Sequence, residues 1–355
     1  MSKKVTIQDI ADALGVSRNT VSKAINNSEG LAEVTREKIL QKAVEMGYKQ
    51  FSYVQALTNV AQMNAKEKQQ KEEKGEIALL TTFASWGSHF ITTMLDRLQR
   101  ELHQLGYRLN THQVTKEDLR KKMLPFTFVP ENCAAILCVE MFDYDYDCML
   151  CDLGIPVLFV DAPTSKNGRR LPADKLMMDN LNPICRILSR ALEEGLTEFG
   201  FIGDYDHCQS FFERFNAFCG TLFYHHMAIH QEYIIKSNDV LEIYQQINAM
   251  EKLPDMFFCA NDFLAHDTLM VLRKLGKSVP EDVMLVGFDD SQESRLSMPS
   301  LTTVHIHTQI MAYCAAQLLI SRVETPSLDY RSVYTETYPI YRETTVFHQS
   351  EEEEA

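Results

Sequence analysis

Three helix starts crowd into the first 47 residues, and that spacing leaves room for little besides a small cluster of short helices. Thr6 is placed to cap a first helix with Asp9 reciprocating three residues on, while Val5 and Ile10 occupy the positions of a hydrophobic staple. Ile7, Ile10, Ala11 and Leu14 mark one apolar face at helical spacing. Gly15 permits a tight turn, and Ser17 caps a second helix only three residues later, with Val16 and Val21 as its staple. Val21, Ala24 and Ile25 face inward, which leaves Arg18, Asn19, Ser22 and Lys23 on the open side. Thr35 is the expected start of a third helix carrying Ile39, Leu40, Ala43 and Met46, with Gly47 at the left-handed position that ends it.

The segment from Lys49 to Gly75 loses this pattern, and its run AKEKQQKEEKGE has no apolar face; it reads as a linker, whether extended or a solvated helix. Beyond it, apolar strands alternate with amphipathic helices, the signature of parallel sheets with crossover helices. The expected strands are IALLTTF (77–83), AAILCV (134–139), PVLFV (156–160), FGFIG (199–203), MFFCA (256–260) and VMLVGF (283–288). They are too many for one compact unit of this type. Leu95, Leu98, Leu102 and Leu105 form a helical stripe that belongs to the core.

Charge is distributed unevenly. The chain carries a net −14, yet residues 1–57 hold eight Lys or Arg against six Asp or Glu, so the acidity belongs to the body and to the tail Glu351–Glu354. A mildly basic head on an acidic body suits focused contact with phosphates. Nine cysteines follow no framework spacing, as a reducing compartment permits, and Cys148 with Cys151 form a lone CxxC without a second pair. His226 and His230 have helical chelating spacing but no evident third ligand. The first residues lack a signal-peptide apolar stretch and no run is long enough for a membrane helix, so the expected location is the cytoplasm, with no membrane partner. No Walker loop, GxGxxG, GxSxG or HExxH is present, which argues against an enzyme, and no cofactor is expected.

The stretch VTIQDIADALGVSRNTVSKAIN (5–26), continuing through VTREKILQKAVEMGY to Tyr48, resembles the headpiece of LacI/GalR transcription regulators. Matches follow in family order along the body: Asp179 and Asn180, ERFNAF around Arg214, CANDFLA around Asn261, VPEDVMLVGFDD ending at Asp290, PSLTTV from Pro299 to Val304, and RETT near Arg342. The resemblance implies an α/β chain with a three-helix helix-turn-helix headpiece and a two-lobed core like the periplasmic binding proteins. Its expected boundaries are headpiece with hinge 1–57, charged linker 58–75, ligand-binding and dimerising core 76–348, and acidic tail 349–355. Within the core, the first lobe is expected to hold about 76–178 and 307–330, and the second the intervening segment with the terminal strands.

It further implies a homodimer on a pseudo-palindromic operator, with DNA affinity set by a small effector such as a sugar. Arg18 and Asn19 would meet base edges, Thr20, Ser22 and Lys23 would lie beside them, Thr6 could bind a phosphate, and Leu57 resembles the wedge that enters the minor groove. Lys23 stands where the family commonly has Arg, and Gln50 with Phe51 replaces its usual Pro-Asn. In the cleft the resemblance places Asp161, Arg214, Asn261 and Asp289, types that suit a polyol, with Met178 as apolar wall. Trp86 could stack on a sugar or simply pack. Two other readings stay open: a regulator governed by a phosphoprotein corepressor, and a cytoplasmic sugar-binding protein.

Overall fold

A computed structural model of the chain describes residues 6–25, 31, 33–46, 74–82, 89–164 and 168–347. They fall into two compact units, Met1–Glu73 and Lys74–Ala355. In the first, α1 (Ile7–Leu14), α2 (Arg18–Ile25) and α3 (Glu33–Met46) enclose Ile10, Ala11, Val21, Ala24, Ile25, Ile39 and Ala43. The local signals act as the sequence requires. Thr6 N–H donates to Asp9 Oδ2 at 2.8 Å while Asp9 N–H donates to Thr6 Oγ1 at 3.2 Å, closing a capping box. Gly15 takes φ 65°, where its N–H reaches the last carbonyls of α1, and Ser17 Oγ accepts from Thr20 N–H at 3.0 Å. One expectation fails: α3 begins at Glu33, so Thr35 lies in its first turn and is not its cap. Glu is the better helix former and extends the helix backward. Val5, Gly47, Leu57, Trp86 and the acidic tail lie outside the described residues.

The second unit is built on two parallel sheets. The first runs in the order β11-β5-β4-β3-β1-β2, from β1 (Gly75–Thr81), β2 (Tyr107–Gln113), β3 (Cys133–Val139), β4 (Val157–Val160), β5 (Asp174–Met178) and β11 (Ser332–Thr335). The second runs β7-β6-β8-β9, from β6 (Phe199–Ile202), β7 (Ile234–Ile235), β8 (Met256–Cys259) and β9 (Met284–Val286). Between the lobes, β10 (Thr303–Ile306) and β12 (Thr337–Ile340) pair antiparallel. The sheets are covered by α4 (His89–Gln104), α6 (Tyr144–Cys151) and α12 (Thr308–Glu324) in the first lobe, and by α7 (Asn182–Glu193), α8 (Gln209–Tyr224), α9 (Val240–Ala249) and α10 (Asp262–Lys274) in the second. The short helix α5 (Lys116–Lys121) follows β2 in the first lobe, and α11 (Gln292–Leu296) follows β9 and packs on α10 in the second. Leu95, Leu98 and Leu102 are buried, and α4 packs along α12. No helix among the described residues is long and apolar enough to cross a membrane.

The chain crosses between lobes three times, after β5, after β10 and between β11 and β12. The crossings lie side by side: Asp179 N–H donates to Thr335 O at 2.8 Å and Thr337 Oγ1 to Asp179 O at 2.6 Å. The expectation that the terminal strands all join the second lobe is therefore corrected, because β11 pairs parallel with β5 in the first. Asp174 is the reason. This buried carboxylate accepts from Arg322 Nε and Nη2 at 3.0 Å each and from the Arg331 N–H at 2.7 Å, pinning the chain beside β5 before β11 begins. Burial alone would raise its carboxyl, but the arginine bonds hold it below the ordinary value.

One buried charge has no such support. Asp147 in α6 is wholly buried and neither carboxylate oxygen finds a partner among the described residues. Burial, aided by Asp143, pushes its carboxyl to about 8. The folded value lies above the unfolded one, so stability is greatest below about pH 4 for this group and declines as pH rises toward 8. Asp147→Asn should raise unfolding stability at pH 8 by roughly 1–3 kcal/mol and flatten that decline. Urea titrations of both proteins at several pH values check this; equal slopes would contradict it.

Candidate functional site

On α2, Arg18 and Asn19 are exposed in the first turn and Lys23 is exposed near its end, whereas Thr20 and Ser22 are half-buried. Thr20 is held at the turn, its hydroxyl sharing a 2.7 Å hydrogen bond with Ser17 Oγ. The carbonyl of Lys23 accepts from the buried Arg36 Nη1 at 3.3 Å, which ties the end of α2 to α3. Thr6 is exposed, but its hydroxyl donates to Asp9 Oδ2 at 2.7 Å. That carboxylate sits where a phosphate would otherwise meet the start of α1.

In the second unit the functional candidates stand at strand ends. Glu140 follows β3, Asp161 follows β4 and Asp289 lies just beyond β9, and all three have left-handed backbones, with φ of 54°, 56° and 118°. Non-glycine residues adopt that region at a cost of about 1–3 kcal/mol, so the fold tolerates strain to place each carboxylate. Asp161 Oδ1 accepts from its neighbour Ala162 N–H at 2.8 Å and from Ser210 N–H at 3.2 Å. Ser210 lies in the first turn of α8, so the positive end of that helix meets an acid of the opposite lobe. Gln209 N–H to Ala162 O at 2.8 Å and Lys175 Nζ to Gln209 Oε1 at 3.0 Å add to the same junction.

Arg214, one turn further along α8, is buried. Its Nε donates to Asn180 Oδ1 at 2.9 Å and Nη1 to Ala260 O at 2.6 Å, its guanidinium carbon lies 3.6 Å from the centroid of the Phe288 ring, and Asp289 Oδ1 is 3.6 Å from Nη1. Asn261 caps α10, its Oδ1 accepting from Leu264 N–H at 2.9 Å, so its amide nitrogen is the part left for other work. Met178 is buried and its Sδ accepts from Ser210 Oγ at 3.1 Å, making it a support of the α8 junction more than an open wall.

The electrostatics set these acids apart from their neighbours. Burial raises the Asp161 carboxyl, against the opposing bonds of Ala162 and the charge of Arg214. Burial also raises Asp289 well above its ordinary value, with Arg214 opposing and Asp262, Glu140 and Asp161 adding to the rise. Glu140 is pushed to about 7 by burial and by Asp161. Asp290, the next residue after Asp289, behaves oppositely: although burial works against it, His305, Arg295 and Arg342 hold it at about 2. It is a structural anchor. Gly287 is required beside it, since a Cβ there would come 2.2 Å from Asp262 Oδ1.

Asp161, Arg214 and Asp289 are thus in electrostatic reach of one another, Asn261 lies one residue past Ala260, and Trp86 and Leu57 fall outside the described residues. Sequence reasoning missed Glu140, although an acid ending the apolar run AAILCV parallels Asp161 after PVLFV. It also missed the role of Asn180 as the support of Arg214. The histidine pair agrees with the absence of a third ligand: α8 ends at Tyr224, His226 has φ 58° and His230 precedes a short turn, so the two lie past the helix end and do not share a helix face. No metal-holding group of three or more side chains occurs among the described residues.

Comparison with known proteins adds a separate line. Residues 6–50 match the family model described as bacterial regulatory proteins, lacI family, and residues 188–345 match that for a periplasmic binding protein-like domain. The chain is 26% identical over 364 residues to the HTH-type transcriptional regulator GalR of Lacticaseibacillus casei, spanning 96% of this chain and 99% of that protein. Among solved structures it is similar to the transcriptional regulator CelR–cellobiose complex, with TM-score 0.68 and 21% identity over 96% of this chain and all of that one. It is also similar to the lac repressor dimer bound to operator and the anti-inducer ONPF, with TM-score 0.63 and 19% identity over 97% of this chain and all of that one.

Proposed function

Because this chain belongs to the lacI family of bacterial regulatory proteins, we propose that it is a repressor that binds a pseudo-palindromic operator in the cytoplasm as a homodimer, with affinity set by a small effector between its lobes. It is a regulator and not an enzyme. The observation that carries this is the presence, in one chain, of a capped helix-turn-helix exposing Arg18 and Asn19 and of a lobe junction built on Arg214. Arg18 and Asn19 read base edges, and Thr20, Ser22 and Lys23 line the same helix. Thr6 with Asp9 orients α1 at the backbone, and Leu57 is the minor-groove wedge of a hinge within residues 1–57.

Effector recognition rests on Asp161, Asn261 and Asp289 as hydrogen-bonding groups for hydroxyls and on Arg214 as their counter-charge, with Met178 behind and Trp86 available to stack on a sugar. The CelR structure holds cellobiose, which supports a sugar or related metabolite here. Self-association is supported by Phe263 and Met270 on α10 and by Leu296 and Met298 at the end of α11 and just after it, all exposed. Arg273 of α10 donates to the Met298 carbonyl, so these side chains belong to one surface.

Two variants test the reading. Arg18→Ala should lose about 1–3 kcal/mol of discrimination at one base position in each half-site, measured by competition between operator variants at fixed salt. Discrimination equal to that of the parent protein would remove Arg18 from base reading. Arg214→Ala, verified as folded by its near-ultraviolet spectrum, should bind operator with an affinity that no longer responds to effector. A retained response would exclude Arg214 from the effector site.

A further inference from the structure

The charge of the cleft narrows the class of effector, an inference that rests on the ligand-binding reading above. Glu140, Asp161 and Asp289 are close enough for each to feel another's charge. Other charges around them are already matched. Asp290 is bound by Arg295, Arg342 and His305, and Asp262 accepts from Thr303 Oγ1 at 2.5 Å and Ser291 N–H at 2.7 Å. Lys175 faces Glu213, whose carboxylate also accepts from Tyr334 and Asn180. His207 is an exposed ring lying against Phe142 of the first lobe and Phe211 of the second.

Lys175 and His207 also feel Asp161, but Arg214 is the cation that reaches both Asp161 and Asp289. Its Nε and Nη1 already donate to Asn180 and Ala260, and Glu140 has burial and Asp161 acting on it. Glu140 Oε2 is buried with no hydrogen-bond partner among the described residues. Buried charge of one sign without compensation is costly, and a bound cation removes that cost where a neutral or anionic molecule cannot. Burial raises all three carboxyls, and a neighbouring carboxylate adds to the rise at Glu140 and at Asp289.

We propose that the effector is a cationic polyol, an amino sugar whose protonated amine sits among Glu140, Asp161 and Asp289 while its hydroxyls meet Arg214 and Asn261. The amine supplies three N–H donors, which three carboxylates can accept together, and Glu140 is the residue that distinguishes this cleft from one suited to a neutral sugar. Uronates and sugar phosphates are excluded by the same acids.

The test uses the full chain and pairs of matched skeleton: glucosamine with glucose and N-acetylglucosamine, galactosamine with galactose, and fully deacetylated chitobiose with cellobiose, alongside glucuronate and glucose 6-phosphate. Thermal shift screens them and calorimetry measures affinity. In the pair that binds, the amine member should bind at least about ten-fold tighter than its neutral partner, a difference of about 1.4 kcal/mol. Glu140→Gln should remove most of that preference, lowering the amine member's affinity far more than its neutral partner's. Equal or tighter binding of a neutral or anionic sugar, or an amine preference untouched in Glu140→Gln, overturns the proposal and leaves the ligand cleft standing. No binding by any sugar overturns the ligand reading itself, and the proposal with it.

Discussion

The core depends on one buried guanidinium. Arg214 rises from α8 and fastens the crossing at Asn180, the end of β8 at Ala260 and the ring of Phe288 after β9. It also provides positive charge to Asp161 from the first lobe and to Asp289 from the second. Removing it would leave those acids buried and unopposed, which is far more costly than the loss of a surface ion pair. Lobe contact and the proposed ligand chemistry therefore rest on the same side chain. A molecule that rearranges charge around Arg214 changes the energy with which the lobes hold together, and this is how binding in such a cleft becomes a mechanical signal.

The adjacent pair Asp289 and Asp290 shows how the fold sets two neighbouring carboxyls in opposite directions. Asp290 is surrounded by Arg295, Arg342 and His305 and stays ionised, locking α11 and the C-terminal segment to the crossover strand β10. Asp289 has a strained backbone and an Arg214 contact of 3.6 Å, leaving its carboxyl raised. Asp174 repeats the structural pattern in the first lobe, where Arg322 and Arg331 complete it. Acids that hold the fold have full sets of donors, and acids at the strand ends facing the lobe junction do not.

The headpiece was almost fully legible in the sequence, because capping and turn formation are local. Thr6, Asp9, Gly15 and Ser17 act within four residues of themselves, and each does what its type dictates. The six strands with continuous apolar runs were legible for a similar reason, being buried on both faces. The strands missed were those without that signal. β2 alternates because it is an edge, and β5 begins with Asp174 and Lys175, whose burial makes sense only once Arg322, Arg331 and Gln209 arrive from far along the chain. The placement of β11 was misjudged on the same account. Arg214, Asp161, Asn261 and Asp289 became candidates through the family resemblance, while Glu140 was passed over because a lone acid after a strand has no meaning until the fold brings Asp161 beside it.

Whether this chain reads a DNA sequence is decided by selecting genomic fragments with the purified full chain at controlled salt. A homodimer reading DNA should enrich a pseudo-palindromic site whose half-sites lie on one face of the duplex. Recovery of fragments with no shared motif, at the level of non-specific binding, would contradict it.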